Sequence, residues 1–198
     1  MSVPTPPPLL DAEPEREPTS GHGFLLGRVG GVPIYLGKSW FVIAALIVLT
    51  FGPDISRALP QLGALTGYGV ALAYAILLCL SVFAHEAGHA IVARRCGYHV
   101  ERIVANLWGG HTAFGSAAPS PGRSALVAVC GPLTNLLLAA IGYGLLSVVE
   151  PGIPRLLIYA WTFSNTFVAV FNLLPGLPLD GGFLVDALVW RMTGRRSA

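Results

Sequence analysis

Long apolar runs separated by short polar stretches organise this chain. Four stand out, at 39–52, 67–93, 124–149 and 155–174. A helix crossing a bilayer needs roughly 20 apolar residues. The last three runs meet that length. The first is short, and Leu36 to Lys38 extend it, with Trp40 as an interfacial anchor at one end. The fourth run breaks in NLLPGLPLDGG, where Pro175 and Pro178 remove backbone donors. A shorter apolar helix, FLVDALVWRM, follows. Two segments have a β-type pattern instead. FLLGRVGGVPIYLG (24–37) places short runs around Gly30, Gly31 and Pro33, as a hairpin does. Residues 97–123 mix β-branched runs with turn residues and predict a second hairpin or short sheet. The expected fold is therefore an all-α integral membrane protein. It has about four transmembrane helices, a short final helix and small β-hairpin elements at the cytoplasmic side. Residues 1–22 read as a Pro-rich, acidic, disordered tail without the pattern of a signal peptide. Residues 23–198 form one membrane core.

Composition supports this class. Of the 198 residues, 54% are hydrophobic and only 11% charged, against about 25% charged in a soluble domain. A net charge of +2 gives no footing for nucleic acid. Placement of the basic residues matters more. Arg94, Arg95, Arg102 and Arg123 lie between the second and third runs, and Arg191, Arg195 and Arg196 follow the fourth. Arg57 and Arg155 stand alone in the other two loops. Lys38 and Arg28 precede the first run. The positive-inside rule then puts both termini in the cytoplasm of a multi-pass cell-membrane protein. Cys79, Cys96 and Cys130 show no metal or disulfide spacing and read as free thiols.

His85, Glu86 and His89 lie inside the second run, where ionisable groups are costly and mark function by default. Residues four apart on a helix differ by about 40° in direction, so His85 and His89 face one way, as two zinc ligands must. Glu86 stands where a general base would activate water. Arg95 places the motif about 15 Å from the cytoplasmic end of the helix. Catalytic zinc takes three protein ligands. Asp180 is the strongest candidate for the third, because it sits in the helix-breaking segment 172–182. Irregular backbone at membrane depth occurs where protein or water surrounds it. Asp186 and Glu150 are weaker candidates.

HEAGH in one helix, GPLTN in the next and NLLPGLPLDGG after a fourth resemble the site-2 protease family of intramembrane zinc metalloproteases. GGVPIYLGKSW and VERIVANLWGGHTAF resemble its bacterial branch related to CBS-domain-containing members. The resemblance spans residues 30–196. It implies one Zn2+ per chain, held by His85, His89 and Asp180, with Glu86 as catalytic base and acid. It implies that Asn172 orients substrate or the oxyanion, and that Gly131, Pro132 and Asn135 support the site. The implied partners are the lipid bilayer and a membrane-protein substrate with an unwindable transmembrane segment; a homo-oligomer stays open. Leu177 departs from the proline common in relatives, and His111 stands where an apolar residue is usual; it reads as a loop histidine, with an extra ligand or a gate as the sharper alternative. Relatives usually continue through two further helices. Ile103 to Phe114 are expected to pair with an unwound substrate strand.

Plainer readings exist for several of these residues. Asp180 in this position also suits a helix cap. Trp40, Trp108, Trp161 and Trp190 suit interface or packing roles. A proteolytically inactive zinc-binding or regulatory protein of the same fold remains the alternative, and a transporter a more distant one.

Overall fold

The computed structural model describes residues 23–195 apart from 30, 107–108 and 115–119. The expected N-terminal tail lies outside the described residues. Five helices carry the molecule: α1 (Ser39–Ala58), α2 (Ala64–Arg95), α3 (Pro121–Leu146), α4 (Ile153–Asn172) and α5 (Asp180–Thr193). By length and composition, α1, α2 and α3 are long and apolar enough to cross a membrane. Helix α1 runs six residues beyond the expected 39–52. Pro53 lies inside it, because one missing donor interrupts the helical ladder without ending it.

Small residues bring the helices together, as they do where lipid supplies no hydrophobic drive between them. A methyl on Gly52 would lie 2.6 Å from the Tyr68 ring of α2. On Gly88 of α2 it would collide with the Thr134 hydroxyl of α3, and on Gly142 of α3 with Thr162 of α4. The polarity is reversed relative to a water-soluble protein. Leu46, Leu49, Leu137, Phe163 and Phe167 are exposed, while Ser81, His85, Glu86, His89, Asn135, Thr162 and Asn165 are buried. In water such an exterior would be a large interaction patch; against lipid it is the matching solvent.

Both β-patterned segments form hairpins: β1 (Phe24–Val29) with β2 (Val32–Leu36), and β3 (Val100–Asn106) with β4 (Gly109–Phe114). They join into one sheet of order β1-β2-β3-β4. The join is parallel, Ile34 opposite Ile103 and Leu36 opposite Ala105. Parallel neighbours need a long crossover, which α1 and α2 provide. The sheet packs on the C-terminal end of α2. Val32, Val100 and Ile103 meet Ala90, Ala93 and Cys96 there, with Val127 of α3. Ile103 to Ala105 pair with both β2 and β4, so their backbone groups are taken. The sheet's edges are β1 and β4, and of the stretch expected to receive a substrate strand, β4 alone is an edge.

Candidate functional site

The interruption after α4 brings Asp180 to the histidines. Helix α4 ends at Asn172, residues 173–179 turn back, with a cis Leu177–Pro178 peptide, and α5 begins at Asp180. The turn must press closely on the new helix. A methyl on Gly182 would lie 2.6 Å from the Gly176 carbonyl carbon, and one on Gly181 would strike the carbonyls of Leu173 and Leu174. Asp180 does not cap α5: the N-cap position is Leu179, with no side-chain cap. Its carboxylate instead faces α2.

Asp180 Oδ2 lies 3.2 Å from His85 Nε2, and Oδ1 lies 3.3 Å from His89 Nε2. The two Nε2 atoms are 3.1 Å apart. These are the edges of a small triangle. A tetrahedral centre with bonds of about 2.0–2.1 Å sets its ligand atoms roughly 3.3–3.4 Å apart. The three residues therefore fit one face of such a centre, leaving the fourth direction for water or substrate.

Hydrogen bonding points to a cation as well. His89 Nδ1 donates to the Val127 carbonyl at 2.8 Å. His85 Nδ1 is hydrogen-bonded to Asn135 Oδ1. A neutral imidazole whose Nδ1 donates has a bare lone pair on Nε2. Two such lone pairs then converge with a carboxylate, whose Oδ2 is buried and lacks a hydrogen-bond donor. An arrangement of acceptors alone is repulsive until a cation sits among them. Gly131 leaves room for it. A methyl there would lie 2.6 Å from His85 Nε2 and closer still to His89 Nε2. Pro132 is buried beside it and offers no N–H to the Ala128 carbonyl, which interrupts the α3 ladder where His89 docks.

Glu86 is 4% exposed and joins the cluster. One of its carboxylate oxygens and one ring nitrogen of each histidine lie within 4.8 Å of one another. It is near enough to share a water with them.

Other expected site residues stand apart. Asn172 is half-buried in the last turn of α4, and among the described residues no hydrogen bond links it to His85, His89 or Asp180. His111 lies in β4 opposite Val104; its side chain is outside the described residues. Glu150 is exposed in the α3–α4 loop, and Asp186 lies two turns into α5. Sequence reasoning missed Asn165, whose Oδ1 accepts from Asn135 at 2.8 Å. An asparagine in an apolar helix was the available signal.

Comparisons with known proteins identify the relatives of the chain. The chain is 37% identical over 177 residues to a putative zinc metalloprotease, sll0528, of Synechocystis, covering 87% of this chain and 45% of that protein. It is 38% identical over 180 residues to the putative zinc metalloprotease Rip3 of Mycobacterium tuberculosis, covering 85% and 44%. The chain thus spans less than half the length of these relatives. Its fold is that of the site-2 protease from Methanocaldococcus jannaschii, with a TM-score of 0.65 at 22% identity, over 87% of this chain and 74% of that one. The model of peptidase family M50 matches residues 73–152 and 147–198, a stretch that contains every residue of the triangle, and the chain belongs to that family.

Proposed function

We propose that this chain is the core of a zinc-dependent intramembrane endopeptidase. It hydrolyses peptide bonds in or near the membrane-spanning segments of protein substrates. The observation that carries the reading is the buried triangle of His85 Nε2, His89 Nε2 and the Asp180 carboxylate, with Glu86 beside it. These three residues would hold one zinc ion, which would supply a Lewis acid for a peptide carbonyl and make water acidic enough to be deprotonated near neutral pH. Glu86 takes the proton from the attacking water and passes it to the leaving amine. Asn172, at the start of the turn, orients the substrate near its scissile carbonyl. Gly131, Pro132 and Asn135 keep the histidines in place.

A helical substrate hides its carbonyls in hydrogen bonds, so the cut segment must unwind. The edge position of β4 supports it as the strand that receives the extended segment. Arginines at both ends of the β3–β4 region and after α5 support a cytoplasmic sheet and cytoplasmic termini. With 20 residues, about 30 Å of helix, α4 is the fourth crossing.

The test is co-expression with single-span membrane substrates, comparing the wild type with Glu86→Ala. Cleavage by the wild type and a loss of at least about a hundredfold in the variant is expected. Equal loss of substrate in both would sink the peptidase reading, and zinc-loaded wild type that cuts none of a broad substrate panel would favour the inactive zinc-binding alternative.

A further inference from the structure

Behind His85 lies a run of buried polar side chains that crosses three helices. Asn135 of α3 and Asn165 of α4 are each 1% exposed, and Ser81 of α2 is 4% exposed. Such groups are expensive in an apolar interior unless every one is paired. Here they pair in a single direction.

The direction is fixed at the far end by groups with no choice of role. The Trp161 carbonyl can only accept and the Trp161 indole N–H can only donate. Asn165 Nδ2 lies 2.8 Å from the Trp161 carbonyl oxygen, so that side of the amide is the NH2. The same Nδ2 donates to Ser81 Oγ at 3.1 Å. Ser81 Oγ also accepts the Trp161 indole N–H at 2.7 Å and donates its own hydrogen to the Leu77 carbonyl at 3.0 Å. Asn165 must then present Oδ1 to Asn135, which answers with Nδ2 at 2.8 Å. That leaves Asn135 Oδ1 for His85 Nδ1. An oxygen there requires Nδ1 to carry the hydrogen, and Nε2 is left with its lone pair toward Asp180 and His89.

We propose that Asn165, oriented by Ser81 and Trp161, is a positioning residue for His85: it locks the Asn135 amide so that His85 offers Nε2 to the metal. The proposal rests on the zinc reading above. An unlocked Asn135 amide has two nearly isosteric orientations. In the flipped one its NH2 meets His85 Nδ1, which becomes the acceptor and moves its hydrogen to Nε2, into the metal position. The competent fraction falls, and apparent zinc affinity falls with it.

The test is zinc affinity by chelator competition on the detergent-purified full chain, with the visible spectrum of the cobalt-substituted protein as second readout. Asn165→Leu removes the lock. Affinity is expected to drop about ten- to hundredfold, the usual range for a partner behind a ligating histidine, and the cobalt bands to weaken. Asn135→Asp presents oxygen in either orientation and has no need of a lock. Asn135→Asp also loses the donor to Asn165 Oδ1, so in that background Asn165→Leu is expected to lower affinity by less than about threefold. A general packing role would cost the same factor in both backgrounds, and that result overturns the proposal. So does an unchanged affinity in Asn165→Leu alone. Where leucine is not accommodated, Asn165→Val is read in the same two backgrounds. A wild type that takes up no zinc would overturn the underlying zinc reading, whereas wild-type binding with a failed cycle overturns the lock alone.

Discussion

The missing side chain at Gly131 lets His85 and His89 aim at one point on α3. A methyl group at that position would lie 2.6 Å from His85 Nε2, inside the volume a metal needs. Gly131→Ala is therefore expected to push both rings back and to lose at least about tenfold in zinc affinity. Wild-type affinity in that variant, measured by chelator competition, would contradict the assignment. Much of this site was legible beforehand. The i, i+4 spacing of His85 and His89 is visible in any helix, and the proline break drew attention to Asp180. Asn135 was reached through a resemblance rather than through spacing. Asn165 was not reached at all, since one amide in an apolar helix has no periodic partner to announce it. Trp161 suits an interface or packing role by sequence; in the structure its half-buried indole N–H bonds to Ser81.

Among the elements, the turn at 173–179 carries the most functional weight, because it sets where α5 begins. Gly182 touches the backbone of Gly176 and Leu177 rather than flexible side-chain ends. Gly182→Ala must move α5 away from the turn, and Asp180 with it. Zinc occupancy is expected to fall several-fold although all three ligands remain. Gly144→Ala in α3, where a methyl meets nothing within 4 Å, is the matched control and should leave occupancy unchanged. Full metal content in Gly182→Ala, by elemental analysis, would contradict the role given to the turn. The hairpins were legible from their short β-type runs and glycines. Their union was not, because the parallel pairing of Ile34 with Ile103 joins segments far apart and leaves no local trace. The apolar run does not mark the end of α1 either: it stops at Gly52, which packs closely against Tyr68, and the helix goes on to Ala58.

The whole molecule turns its polar groups inward and its apolar side chains outward, which suits a chain solvated by lipid. Its basic residues predict cytoplasmic termini. A fluorescent protein fused after Ala198 should fluoresce, and alkaline phosphatase fused there should stay inactive; the opposite pattern would invert the topology. Zinc K-edge X-ray absorption on the purified chain reads out whether helices from distant parts of the sequence converge to hold a metal. One zinc per chain, two imidazoles, and nitrogen and oxygen ligands at about 2.0–2.2 Å are expected, with the oxygen shell altered in Asp180→Ala. A sulfur shell near about 2.3 Å, or a spectrum unchanged by His85→Ala and Asp180→Ala, would contradict that convergence.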